Sequence, residues 1–73
     1  MSKPKYRAGY PPVTFVSADG ATTVEAHMRA DGRWGWTKRR GGRNIGTNGE
    51  GVSRYRAIAA ARGEAGPGAV ERG

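Results

Sequence analysis

Residues Thr22 to Arg29 alternate between apolar and polar side chains, and this alternation constrains the fold more than any other feature of the chain. A period of two is typical of a strand with one buried face. The two sets are Val24, Ala26 and Met28 on one side, and Thr23, Glu25, His27 and Arg29 on the other. Asp31-Gly32 follows, and this pair is a strong hairpin signal. The sequence therefore predicts a strand that turns and returns over residues 33–40, with Trp34 and Trp36 on one face.

Two further strands flank this hairpin. Residues 13–17 are rich in β-branched and aromatic side chains and end at the turn residues Ala18-Asp19-Gly20. Gly41-Gly42 predicts a second hairpin turn, and residues 43–48 alternate as a short fourth strand before the loop at 48–51. A helix is then predicted over residues 54–62, with Ser53 as N-cap and Gly63 at the C-terminal cap.

The predicted helix carries one apolar stripe at helical spacing, formed by Tyr55, Ile58, Ala59 and Arg62. We expect this stripe to lie on the sheet, with the Arg62 stem covering apolar surface. The fold class is α+β: a three- to four-stranded antiparallel meander packed against one C-terminal helix. The predicted organisation is a flexible basic arm at 1–12, a single ββββα domain at 13–63 and a disordered tail at 64–73.

The predicted core is small, and this bears on the assembly. A domain of 73 residues buries only about 60% of the surface that its unfolded chain exposes. The chain has no cysteine and one histidine, which excludes disulfides and a Cys/His zinc site. Self-association is the remaining means of stabilisation, so we expect a homodimer. The expected core is Phe15, Val24, Ala26, Met28, Trp36, Ile45, Tyr55 and Ile58.

The formal net charge of +7 indicates an anionic partner, because self-repulsion contributes nothing to folding. Nucleic acid, an anionic membrane surface and an acidic protein are the candidates. No apolar run is long enough to span a membrane, and residues 1–12 lack the apolar core of a secretory signal. We therefore expect a cytoplasmic protein and no membrane partner. The Ala, Gly and Arg richness, without Leu or Gln, is typical of a GC-rich bacterium or its phages.

Three segments carry a resemblance to a known family: Asp31-Gly-Arg-Trp-Gly-Trp36, Gly42-Arg-Asn-Ile-Gly-Thr-Asn-Gly-Glu-Gly51, and Ser53 with the Ala-rich helix. Over roughly residues 31–62 the sequence resembles the YegP-like (DUF1508/UPF0339) domains. It departs from their pattern in a shorter turn after Trp36, in Lys38 where an apolar residue is usual, and in Val52 where Tyr is usual. The resemblance implies a small domain that occurs in tandem or as paired units, and no established activity.

The predicted architecture is also similar to the AP2-like and integrase arm-type DNA-binding domains, whose strands read DNA. This likeness concerns architecture and charge, not a sequence motif, and it is an analogy.

Most of the charge is concentrated between residues 29 and 56, where eight cations face only Asp31 and Glu50, a local balance of +6. Alternation places Lys38 and Arg40 on the Trp side of the strand and Arg39 on the other. The residues predicted to bind nucleic acid are Lys38, Arg39, Arg40, Arg43, Arg33, Arg54, Arg56, Lys3, Lys5 and Arg7. The alternative interpretation of the same charge is a solvated surface.

Aromatic residues give two alternatives. Trp34 and Trp36 are suited to stacking on unpaired bases, but a Trp pair in so small a domain favours the core or a dimer interface. Tyr6 and Tyr10 in the basic arm are freer to stack on or dock against a partner.

Catalysis is not indicated by the sequence. Glu25 and His27 lie on one strand face, but no nucleophile or pocket accompanies them. Residues 49–51 precede a helix, yet Glu50 argues against an anion site there, and a turn before a helix cap explains the glycines. No cofactor, metal or enzymatic activity is predicted.

The leading hypothesis is a small, basic, non-enzymatic module that binds the phosphate backbone of nucleic acid. The alternative is a protein-interaction module, such as a small phage-type effector that docks on an acidic host protein. A third possibility, which the family resemblance alone favours, is a structural domain without a ligand.

Overall fold

The computed structural model describes residues 10–48 and 50–72. They form one five-stranded antiparallel sheet with a helix on one face, in the order β4-β3-β2-β1-β5. The elements are β1 Val13–Val16, β2 Thr22–Met28, β3 Trp34–Arg40, β4 Arg43–Thr47, α1 Arg54–Ala65 and β5 Val70–Arg72. The predicted α+β class, an antiparallel meander against one helix, is confirmed.

Strand β2 lies at the centre of the sheet, and its alternation has the predicted effect. Val24 and Ala26 are fully buried under α1. The register places Phe15 of β1 beside Val24, and Trp36 of β3 beside Ala26. The core consists of Phe15, Val24, Ala26, Trp34, Ala57, Ala61 and Ala65, with Met28, Trp36 and Ile58 partly buried against it.

The helix buries a different stripe from the predicted one. Ala57, Ala61 and Ala65 are its buried residues, whereas Tyr55 is 81% exposed. The expectation that Tyr55 belongs to the core is therefore wrong, and the helix is turned by about a third of a turn. Alanine side chains let the helix axis approach the sheet closely. The large side chains of Phe15 and Trp34, on the sheet, fill the space between the sheet and the helix.

The helix also ends later than predicted. Ser53 caps its start as expected, accepting a hydrogen bond from the Arg56 amide at 3.3 Å. Gly63, the predicted C-terminal cap, is helical, and Gly66 with φ 93° ends the helix instead. The extra turn buries Ala65, and this offsets the roughly 1 kcal/mol that an interior glycine costs.

The prediction that residues 64–73 form a disordered tail is wrong over residues 64–72. After α1 the chain turns and forms β5, which pairs with β1 so that Val70 lies beside Val16 and Arg72 beside Thr14. All three β5 residues are exposed, so backbone pairing with the free edge of β1 orders this segment. Composition does not reveal this kind of ordering.

Strand β4 departs from simple alternation. Its register shifts by one residue between Lys38 and Arg39, because Gly46 pairs with Lys38 but Asn44 pairs with Arg39. Ile45 is the extra residue of this β-bulge and is 50% exposed, so its predicted place in the core is wrong. The Asn44 side chain accepts a hydrogen bond from the Gly46 amide across the bulge.

Of the predicted basic arm, residues 1–9 lie outside the described residues. Within the described part of the chain, no helix is both long enough and apolar enough to cross a membrane.

Candidate nucleic-acid interface

The turn between β3 and β4 gathers three of the predicted binding residues, Arg39, Arg40 and Arg43, which we call the arginine tip. Gly41 and Gly42 connect the strands with φ of 60° and 82°. Two successive positive φ angles define the tight hairpin turn that glycine favours. Arg40 and Arg43 are direct cross-strand partners, and all three arginines are exposed. The turn therefore holds three cations at one end of the sheet.

Lys38 lies near this tip but is engaged differently. Its ammonium is 3.3 Å from Glu64 of α1, on the helix side of the sheet. In the described residues, the other ion pair joins Arg29 to Asp31 at 3.8 Å. No carboxylate in that part of the chain comes within 4 Å of an arginine-tip guanidinium, so the charge of the tip is not balanced by an ion pair there.

One carboxylate does influence the tip from a longer distance. Asp19 lies in the β1–β2 turn, and its pKa is lowered mainly by the Ser17 hydroxyl and next by the Ala21 amide, which both donate to it. The positive charge of Arg40 lowers this pKa further. The β1–β2 turn therefore lies at the same end of the molecule as the tip.

Arg33 and Arg54 lie at the opposite end, where the β2–β3 hairpin meets the start of α1. Strand β3 separates the two ends by about 20 Å at 3.3 Å per residue. The Arg54 guanidinium lies 4.8 Å from the Tyr10 ring centroid and 5.5 Å from that of Trp34. The Arg33 side chain packs against Gly51. A Cβ atom added to Gly51 would lie only 2.5 Å from the Cβ atom of Arg33. The predicted set is thus divided between two surfaces.

The remaining predicted residues are dispersed or undescribed. Arg56 is exposed on the first turn of α1. Lys3, Lys5, Tyr6 and Arg7 lie outside the described residues.

Both tryptophans pack against the protein, in agreement with the alternative that places them in the core and not on a base-stacking surface. Trp34 is 4% exposed and belongs to the core, and Trp36 is partly buried against it. Trp34 also pairs with Val52 through two backbone hydrogen bonds of 2.7 and 2.8 Å. This bridge holds the loop that leads into Ser53, so it positions the start of α1.

The central part of the sheet face without a helix is polar. His27 and Glu25 both lie on it, and His27 Nε2 is 3.1 Å from the Thr37 hydroxyl. Arg39 shares this face with Glu25, since alternate residues of paired strands point the same way. In the described residues, no three side chains of metal-ligating type come together.

Tyr55, which was predicted to lie in the core, is exposed. It lines a groove with Tyr10, Arg33 and Arg54 instead of facing the sheet. The spacing of alanines at 57, 61 and 65 was the available signal, because these residues also form a helical stripe.

None of the family models, curated protein sequences or solved structures compared with this chain matches it. The resemblance to the YegP-like domains therefore stays a prediction.

Proposed function

We propose that the protein is a non-enzymatic module that binds nucleic acid through phosphate contacts made by the arginine tip. The observation that carries this proposal is the tip itself: Arg39, Arg40 and Arg43 are exposed around a two-residue turn. Guanidinium groups bind phosphate through paired hydrogen bonds as well as charge. A tight hairpin turn with three such groups is suited to a polyanionic backbone.

The geometry favours the tip over the open sheet face as the contact surface. The open face carries Glu25 beside Thr37 in the register, which opposes close approach of phosphates. Arg40 and Arg43 lie on the other side of the sheet from Arg39, so the arginines are distributed around the turn. If the tip enters a groove of the nucleic acid, its arginines can contact phosphates on both sides of the hairpin.

A salt titration with the full chain tests the proposal. Fluorescence anisotropy would measure binding to a labelled DNA duplex and to a labelled single strand, from low to physiological salt. We expect affinity to fall steeply with salt, because phosphate contacts release counterions. Arg39→Glu combined with Arg40→Glu should weaken binding at least tenfold and reduce the salt slope by about two, one for each lost phosphate contact.

A matched control has the same net charge but an intact tip. Arg56→Glu with Arg72→Glu removes four charge units, as the tip pair does, and takes the formal net charge from +7 to +3. Both residues are exposed and outside the tip. Equal losses in the two double variants would show that only bulk charge matters, and no binding by the unaltered chain would disprove the proposal.

A protein-interaction module is the second candidate, because Tyr55 and Val70 are large exposed apolar residues, at 81% and 62%. An acidic protein partner, such as a host protein bound by a phage-type effector, would use charge and aromatic contact together. Capture before and after nuclease treatment separates the two functions, since nuclease removes a partner held through nucleic acid and leaves a protein held directly.

The proposal includes a cytoplasmic location and kinship with the YegP-like domains. The basic charge supports the first, because nucleic acid is abundant in that compartment, and the strand-and-helix order over residues 31–62 supports the second. Fractionation of source cells tests the location.

A further inference from the structure

A groove of about 730 Å³ lies at the end of the molecule opposite the arginine tip. We call it the helix-start groove, because the first residues of α1 form one wall and the β2–β3 hairpin forms the other. Its principal lining residues are Tyr10, Arg33, Trp34, Val52, Arg54 and Tyr55. The backbone bridge between Trp34 and Val52 lies at the base of the groove. The groove is therefore built on the first residue of β3 and the segment that pairs with it.

The Arg54 guanidinium lies within cation–π distance of two aromatic rings in this groove. Its guanidinium carbon is 4.8 Å from the Tyr10 centroid and 5.5 Å from the Trp34 centroid. A guanidinium near an aromatic face keeps its N–H groups as hydrogen-bond donors. Arg54 has no carboxylate partner within 4 Å in the described residues. The Arg54 donors are therefore available to a phosphate.

Two tyrosines in the groove expose their rings. Tyr10 is 53% exposed and Tyr55 is 81% exposed, and neither belongs to the core. Tyr55 and Arg54 line the same groove, so an exposed aromatic side chain and a guanidinium border one space. Exposed aromatic rings interleaved with arginines are the arrangement on which unpaired bases stack, since every base has a flat π-face.

The charged residues that line the groove are both cations. No carboxylate is among its described lining residues, and Arg33 and Arg54 both contribute to it. The nearby Asp31 is occupied, because it accepts a hydrogen bond from the Arg33 amide and pairs with Arg29. A second groove of about 280 Å³ shares Arg54 and Tyr55 and continues along α1 to Arg62.

We infer that the helix-start groove binds unpaired nucleobases of a single-stranded nucleic acid, with Tyr55 and Tyr10 stacking on bases and Arg54 and Arg33 contacting the adjoining phosphates. This inference rests on the proposed function and adds the substrate class. Bases in a duplex are stacked on one another and offer no free face, so the groove acts on single strands or on single-stranded segments beside a duplex. The tip, about 20 Å away along β3, serves both forms.

The test measures binding of the full chain to three fluorescein-labelled DNA probes of equal length: a thymidine single strand, a blunt-ended duplex of two separate strands, and a strand of abasic sites. Tyr55→Ala should weaken binding to the thymidine strand roughly 5- to 150-fold, which corresponds to the loss of one stacked base. Its binding to the duplex and to the abasic strand should not change. Tyr55→Phe keeps the ring and should bind the thymidine strand like the unaltered chain.

Each outcome bears on one claim. If Tyr55→Ala leaves thymidine-strand affinity unchanged, or lowers affinity for all three probes equally, base stacking in this groove is disproved. Tyr10→Ala provides a second variant with the same expected selectivity, which keeps the test decisive if Tyr55→Ala is poorly folded. The Arg39→Glu and Arg40→Glu double variant should lose affinity for every probe, and if it does not, the proposed function fails separately.

Discussion

Asp19 organises the turn between β1 and β2 through its carboxylate. One oxygen accepts hydrogen bonds from the Ser17 hydroxyl at 2.6 Å and from the Ala21 amide at 2.9 Å. These bonds, followed by the charge of Arg40, hold the pKa of Asp19 below its usual value. A pKa that is lower in the folded state means that the ionised carboxylate stabilises the fold.

The first prediction concerns pH and this carboxylate. The contribution of Asp19 is fully present above its unfolded-state pKa and is lost as the pH falls through the lower folded-state pKa. Asp19→Asn should therefore lower the thermal midpoint at neutral pH, and the difference from the unaltered chain should shrink in acid. Thermal melts of both proteins across this pH range measure it. A difference that is constant with pH would contradict the assigned ionisation.

Helix α1 packs through a stripe of alanines, and this choice has a steric consequence. Ala57 and Ala61 are fully buried against the sheet, while Ala60 is exposed. Alanine contributes little apolar area, but it allows a close helix–sheet contact over Phe15 and Val24. The ion pair between Lys38 and Glu64 lies at the margin of this contact and, being exposed, contributes about 1 kcal/mol or less.

The second prediction tests which stripe is buried. Ala61→Leu adds three carbons where no space exists, so it should destabilise the protein by about 1–3 kcal/mol. The same change at Ala60 should stay within about 0.5 kcal/mol, because that side chain is in solvent. Urea unfolding of both variants measures the difference. Equal midpoints would mean that the helix buries another face.

The whole molecule rests on a small core. Phe15 and Val24 are its largest fully buried side chains, and the remaining helix contribution is alanine. The fifth strand extends the sheet without adding buried side chains. A domain with so little buried area benefits from a second subunit, which is the reason for predicting a homodimer.

The third prediction therefore concerns the oligomeric state of the protein in solution. Light scattering at micromolar concentration should give twice the 7.7 kDa of one chain. The thermal midpoint should also rise with protein concentration, because dissociation accompanies unfolding of a dimer. A mass of one chain with a midpoint independent of concentration would contradict dimerisation.

The sequence determined the features that depend on local chemistry. The alternation around Val24 defined the central strand, Gly41-Gly42 defined the tip turn, and Ser53 defined the start of α1. The α+β class and the arginines at the turn followed from these residues, because hairpins and helix caps depend on a few adjacent side chains.

Only the tertiary structure decided which helix stripe is buried, where Ile45 points and that the tail forms β5. Tyr55 and Ala57 each begin a stripe of residues at helical spacing. Which stripe is buried depends on how closely the side chains of the sheet allow the helix to approach. Pairing of Val70 with Val16 depends on a free strand edge far away in the sequence. The helix-start groove likewise joins Tyr10, Arg33 and Tyr55 from three distant segments, and only their packing brings them together.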